Sequence, residues 1–321
     1  MSAPELPAGL RIALEAELHG VARDKIAERA AQISKTYRNS GNSRLIASEA
    51  DALAYALVRM PATYAAVIAC LNALLGVRAD FAPVSLLDVG AGPGTASWAA
   101  AETFSSLQNF MLLDINAALQ SLALELGREH ARLAAMTSRR DAHALDEAEP
   151  ADLVIASYLI GEVGDAERRT LTERLWAKTR DTLLVVEPGT PAGYERIIAL
   201  RAQLIAAGAH VAAPCPHDES CPLAAPDWCH FAQRLPRSRD HLQVKAAAVP
   251  FEDEKFSYVV LSRAPPRRRD ARVLAPPRVT KSAVTSKLCT TQGLVGDTAA
   301  RRDRDAYRQR KSWRWGDGVT L

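Results

Sequence analysis

From residue 8 to 76 the apolar residues recur at helical spacing: Leu10, Leu14, Leu18 and Val21, then Leu53, Leu57 and Met60, then Tyr64, Val67, Ile68, Leu71 and Leu75. That period predicts a helical region over residues 1–80, with a helix from 8 to about 35 and a second from 43 to 76 that Pro61 breaks in two. Cys70, set among these apolar residues, is expected in the core. From residue 83 the pattern changes to short apolar runs separated by helical stretches: VSLLDVG, NFMLLDIN, ADLVIASYLIGEV and TLLVVEPGT. Runs of that length in that alternation predict βαβ units and an α/β, doubly wound parallel sheet spanning residues 81–210. Beyond it, FEDEKFSYVVLSR predicts a late strand at the sheet edge, and RVLAPPRVTKSAVTSKLCT two short strands inside a carboxy-terminal region, 211–321.

The first apolar run ends in Asp88-Val89-Gly90-Ala91-Gly92-Pro93-Gly94 and passes into the helix-like TASWAAAETF. Glycines at 90, 92 and 94 permit a tight turn and close backbone approach by a cofactor at a helix amino terminus. A glycine loop alone is a weak signal. Here a strand precedes it, a helix follows it, and the next strand ends at Asp114, an acid placed to take the hydroxyls of an adenosine ribose. The DVGAGPG wording favours S-adenosylmethionine over a dinucleotide and predicts a class I methyltransferase-like core. In that pattern Asp88 binds the methionine part or orders the loop, and Asp141 falls where an acid stands near the adenine. After the fourth run the chain reads Ala156-Ser157-Tyr158-Leu159-Ile160-Gly161-Glu162, which lacks the Asn-Pro-Pro-Tyr tetrad of exocyclic-amine methylation. Cys215 lies too far past the fifth run to be a pyrimidine-methylating nucleophile. Glu187, in EPGTPAG, is expected at the pocket edge.

Three of the five cysteines fall in PCPHDESCPLAAPDWCHF, as Cys215, Cys221 and Cys229, and a fourth, Cys289, follows in KLCTTQG. Thiols gathered near prolines and histidines point to a metal site. The C-x5-C-x7-C spacing is neither the paired C-x2-C of zinc ribbons nor the C-x3-C-x2-C of radical enzymes. Four thiolates suit a [4Fe–4S] cluster or zinc, and His217 and His230 keep a mixed Cys/His zinc site open.

Charge adds a partner. The net charge of +3 is uneven: residues 262–321 hold 15 Lys and Arg against 5 Asp and Glu, which leaves 25 against 32 in the rest. A basic end on an acidic body fits RNA, and Tyr307, Trp313 and Trp315 among Arg301, Arg302, Arg304, Arg308, Arg310, Lys311 and Arg314 are expected to stack on unpaired bases. No apolar stretch reaches the eighteen residues of a membrane span. Acids in MSAPELPAGLRIALEAELHG, where a targeting peptide carries bases, predict a cytoplasmic protein.

Taken together, DVGAGPGT at 88–95, VEPGTPAG at 186–193, CPHDESCPL and DWCHF within 215–231, FEDEKFSYVVLSR at 251–263, RVLAPPR at 272–278, LCT at 288–290 and the closing WGD at 315–317 resemble the small-ribosomal-subunit methyltransferase-like family over nearly the whole chain. The resemblance implies S-adenosylmethionine binding by the core, a [4Fe–4S] cluster on Cys215, Cys221, Cys229 and Cys289, and association with the small ribosomal subunit and its rRNA. It leaves two functional readings: an rRNA methyltransferase, or a non-catalytic RNA-binding assembly factor with a structural zinc site.

Overall fold

The computed structural model describes residues 4–38, 45–140, 143–245, 248–267 and 269–321. Three helices come first: α1 (Ala8–Glu17), α2 (Arg23–Arg38) and α3 (Glu49–Leu75). Then follow β1 (Ser85–Val89), α4 (Thr95–Thr103), β2 (Asn109–Leu113), α5 (Ala117–Gly127), β3 (Thr137–Arg139), α6 (Ala144–Glu147), β4 (Ala151–Ser157), α7 (Asp165–Ala177), β5 (Thr179–Pro188), α8 (Pro191–Ala206) and β6 (His210–Ala213). The same sheet takes its last strands, β7 (Phe231–Pro236) and β8 (Phe251–Ser262), after the cysteine segment, with the short helix α9 (Arg239–Val244) between them.

The strand order is β3-β2-β1-β4-β5-β8-β6, with β7 also on β8. Neighbours from β3 to β5 run parallel, and β8 lies antiparallel to β5, with Val185 opposite Val259. Such an order, with one reversed strand inside the far half of a parallel sheet, is the class I methyltransferase arrangement. Alternation along each strand sorts the core into two layers. Leu86, Leu112, Leu153, Ile155 and Leu184 face α3, α4 and α5. Leu87, Val89, Val154, Leu183 and Val185 face α7 and α8.

Where one helix was expected from 8 to about 35, two form, α1 and α2, parted by a turn at residues 18–22. The late strand is not at the edge, because β8 sits between β5 and β6 and its first half binds β7. Nor does Pro61 divide the second helix: α3 runs unbroken through 27 residues. Pro61 removes one backbone donor and costs about 3 kcal/mol in a helix interior. Against this stand the fully buried Ala54, Met60, Val67, Leu71 and Leu74, each apolar side chain contributing on the order of 1–3 kcal/mol. Ser48 caps the start, accepting from the Asp51 amide at 3.2 Å while Asp51 accepts from the Ser48 amide at 3.0 Å. By length and composition α3 could cross a bilayer, but 72% of its most apolar window is buried inside the protein. Cys70, in this helix, is fully buried.

A second, five-stranded sheet closes the chain: β9 (Ala271–Val273), β10 (Arg278–Val279), β11 (Ala283–Thr290), β12 (Gly293–Ala300) and β13 (Gly318–Val319), with α10 (Arg304–Ser312) between the last two. Where two strands were expected in this stretch through residue 290, three form. Its small core gathers Ala271, Val273, Leu288, Trp313 and Val319.

Candidate cofactor and metal sites

At the carboxyl end of β1 the chain turns with φ of 68° at Gly90, 54° at Gly92 and 77° at Gly94, the left-handed region that side chains avoid. The Gly90 and Ala91 amides both donate to the Leu113 carbonyl, at 2.8 and 3.1 Å, pinning the turn to β2. A Cβ on Gly90 would stand 2.7 Å from Leu159, whereas one on Gly92 would point into open space. That space is a cavity of about 350 Å³ bordered by Gly90, Gly92, Asp114, Arg139, Ser157 and Tyr158. It lies outside the carboxyl ends of β1 and β4, where the strand order reverses and ligands of open α/β sheets bind.

Asp88 is fully buried, and its Oδ2 accepts from the Ser97 amide at 3.0 Å and the Ser97 hydroxyl at 2.8 Å. It ties the end of β1 to the first turn of α4. Its Oδ1 has no partner. Burial pushes its pKa up to about 7, with Asp114 acting in the same direction and the Ser97 bonds opposing. Asp114 borders the cavity with both oxygens engaged: Oδ2 accepts from the Gly92 amide at 2.7 Å and Oδ1 from the Asn116 amide at 2.8 Å. A ribose would share this carboxylate through its remaining lone pairs. Asp141 lies outside the described residues.

On the acceptor side Ser157 and Tyr158 border the cavity, while Glu187 does not sit free at its edge. It is fully buried, with Oε2 2.7 Å from Arg196 Nε and Oε1 accepting from the Gly161 amide at 3.3 Å. Tyr158 has φ of 58°, the one non-glycine residue in the left-handed region among those described. Its hydroxyl donates to Glu254 at 2.8 Å, Arg59 reaches the same carboxylate at 3.4 Å, and the Arg59 guanidinium lies 5.6 Å from the Tyr158 ring centre. No residue spacing announced this trio, because Arg59 comes from α3 and Glu254 from β8.

The strands β6 and β7 share one lane along β8, and the segment between them leaves the sheet carrying Cys215, Cys221 and Cys229. Cys289, on β11, comes back to meet them. All four thiols line a single pocket together with Arg201, Arg272 and Tyr194. The clear cavity is about 20 Å³, room for about one water. The Tyr194 hydroxyl donates to Cys221 Sγ at 3.2 Å, and His217 Nε2 lies 3.5 Å from Cys289 Sγ. His230 is held instead by rings, stacked on Trp228 at 4.9 Å and edge-on to Trp315 at 5.0 Å. Among the described residues no group of three or more His, Cys, Asp or Glu meets at distances that suit one metal ion.

Sequence reasoning missed the two arginines. Arg201 and Arg272 are only 3% and 5% exposed. Arg201 donates to the carbonyls of His217 and Glu219, both at 2.8 Å, and its Nε is buried without a partner. Arg272 donates to the carbonyls of Pro214 at 2.6 Å and Gly316 at 2.5 Å, and stands opposite Cys289 in the β9–β11 pairing. The available signal was Arg272 inside the apolar run ARVL, a charge that a strand buries only for a partner. Burial pushes the Cys215 and Cys229 thiols up and that of Cys289 to about 12, so metal loading must displace protons.

The aromatic residues of the basic end correct the stacking expectation. Trp313 is 8% exposed within the small core, and Trp315 packs against the main core and His230. Tyr307 is half-buried.

Known proteins fit this architecture. The chain is 29% identical over 298 residues to the mitochondrial ribosome assembly protein METTL17 of Homo sapiens, covering 84% of this chain and 62% of that protein. It is 24% identical over 276 residues to the mitochondrial Rsm22-cox11 tandem protein 2 of Schizosaccharomyces pombe, covering 77% and 36%. The chain thus spans under two thirds of the length of either relative. Among solved structures, magnesium protoporphyrin IX methyltransferase from Synechocystis with bound S-adenosylmethionine aligns over 80% of this chain and 98% of its own, at 11% identity and a TM-score of 0.41. The family description "Mitochondrial small ribosomal subunit Rsm22" matches residues 49–320, and the chain belongs to that family.

Proposed function

We propose that this protein is an S-adenosylmethionine-binding, iron–sulfur-containing factor that acts on the small ribosomal subunit during its assembly. The observation that carries the reading is the convergence of Cys215, Cys221, Cys229 and Cys289 on one pocket, in a chain that also carries a class I cofactor cavity. Four cysteines are the ligand set of a [4Fe–4S] cluster. A tetrahedral zinc ion takes the same four thiolates, with bonds of about 2.3 Å, and metal analysis separates the two. Four thiolates around a cluster core of charge +2 leave −2, and Arg201 and Arg272 supply two buried positive charges. Tyr194 would orient Cys221, as outer partners of metal ligands do.

In the cofactor cavity Gly90 and Gly92 would let S-adenosylmethionine approach the backbone, Asp114 would bind the ribose, and Asp88 would hold the loop through Ser97. The cofactor supplies an electrophilic methyl group when bound. Of the described groups nearest the acceptor side, Glu187 is sealed by Arg196 and Tyr158 is committed to Glu254, while Glu162 and Glu167 border the cavity from the loop after β4 and the start of α7. Those two engagements favour assembly by binding over methyl transfer. The relatives named for ribosome assembly and for the small ribosomal subunit support the choice of partner.

The test is anaerobic purification with iron and sulfide analysis, then transfer of labelled methyl from S-adenosylmethionine to immature small subunits and to protein-free RNA. The expected result is about four irons per chain, lost with loosening of the carboxy-terminal sheet in Cys221→Ser and Cys289→Ser, subunit binding, and no stoichiometric methylation. Zinc in place of iron would overturn the cluster. Methyl incorporation that disappears in Gly92→Asp would make the protein an enzyme.

A further inference from the structure

The charged end of the chain separates its cations from its rings. Helix α10 packs against β11 and β12 through Arg310, whose Nε lies 3.0 Å from Asp297, and leads into the buried Trp313. The opposite side of the helix presents Arg304, Arg308 and Lys311, all exposed. Their i, i+4, i+7 spacing aligns them in one stripe about 10 Å long. The stripe continues off the helix. Arg301 and Arg302 are exposed in the turn before it, and the Arg301 guanidinium donates to the Lys281 carbonyl at 3.3 Å, which brings in the exposed Lys281 and Arg278 from the β10–β11 hairpin. Arg278, Lys281, Arg302, Arg304 and Lys311 make no side-chain hydrogen bond or ion pair among the described residues. The carboxylates near them are Asp303, which caps the Ala306 amide at 3.2 Å, and Asp305, 3.7 Å from Arg308. Seven cations against two acids leave a strong positive excess, and five of the seven have no internal partner among the described residues.

We infer that this face, made by the outer side of α10, the turn before it and the β10–β11 hairpin, docks on the phosphate backbone of folded RNA. The inference rests on the assembly reading above and goes further, naming the surface and the mode of contact. Five of the seven cations are arginines, whose planar donors match phosphate oxygens. Trp313 and Trp315 are packed into the protein and Tyr307 is half-buried, so the surface offers little ring area for single-strand stacking and has the cations that contact with a duplex backbone uses. A lipid surface fits less well: α10 exposes no apolar side chain on this side, and its inner side is spent on the sheet.

The experiment uses the full chain and titrates it into a fluorescent RNA hairpin and into an unstructured oligouridine of equal phosphate number, across a salt series. It compares the wild type with Arg304→Gln/Arg308→Gln/Lys311→Gln and with a control triple at exposed sites elsewhere, Arg11→Gln/Arg128→Gln/Arg169→Gln. The face variant should lose about ten- to hundredfold in hairpin affinity, with the slope of log affinity against log salt shallower by about one for each contact removed. Its melting curve and S-adenosylmethionine affinity should stay unchanged, and the control should keep its RNA affinity within about twofold. Equal losses in both triples, or tighter binding to oligouridine than to the hairpin, would overturn the inference. If the face variant still binds small subunits like the wild type, this surface is wrong and the assembly reading stands. If the wild type binds vesicles of anionic lipid and neither RNA nor subunits, both fall.

Discussion

Asp88→Asn isolates one buried carboxyl whose titration the fold has displaced. Asp88 has no exposed surface and one oxygen without a partner, and burial raises its pKa from 3.8 to about 7. The folded protein therefore holds a proton that the unfolded chain releases. The resulting contribution to stability is fully present below the unfolded pKa and is lost as pH rises through the folded one. At about 1.4 kcal/mol per unit, the whole shift corresponds to about 4 kcal/mol, of which about 3 kcal/mol should disappear between pH 5 and 8. Asparagine can still accept from Ser97 but cannot ionise. Urea unfolding of both proteins at half-unit steps from pH 5 to 8.5 should give a stability difference that grows with pH in favour of the variant. Parallel stability curves would show that Asp88 is ionised in the folded state at all these pH values and would refute the reasoning.

Gly92→Asp should abolish measurable S-adenosylmethionine binding by calorimetry, since its Cβ enters the cavity and adds a charge beside Asp114, while stability changes by only about 1 kcal/mol because Asp tolerates left-handed backbone; an unaltered dissociation constant would remove the assigned pocket. Arg272→Met should cost roughly 3–5 kcal/mol, from two buried carbonyls losing a charged donor, and should expose the chain after residue 263 to limited proteolysis. A wild-type cleavage pattern with unchanged urea midpoint would count against the clamp.

The legible parts of this chain were those fixed by local chemistry. Glycines at 90, 92 and 94 announce positive φ wherever they stand between a strand and a helix, and the structure places all three there. Short continuous apolar runs in VSLLDVG and TLLVVEPGT, alternating with helical stretches, are enough to name buried parallel strands. Pro61 misled because proline's cost is local whereas the packing that holds α3 together is tertiary. The position of β8 was hidden for a similar reason: a strand's own pattern records how it is buried, not which neighbours bury it. Trp313 and Trp315 looked available for bases because interleaving with arginines is visible in sequence, while β9, β11 and β13 take the Trp313 ring and the main core with His230 takes that of Trp315. Arg201 and Arg272, 3% and 5% exposed, were missed because arginine is ordinarily a surface residue and their partners come from distant segments.

The lane shared by β6 and β7 has a consequence for how the protein is made. Cys215, Cys221 and Cys229 emerge from the translating ribosome well before Cys289, whose strand needs β9 on one side and β12 on the other. At about 5–20 residues per second, several seconds separate the third thiol from the fourth. A chain stopped anywhere in that interval displays three thiols and cannot retain a four-thiolate cluster. On the proposed reading, retention of a cluster would therefore report that β9, β11 and β12 have paired, because only then is Cys289 held where the other three thiols wait.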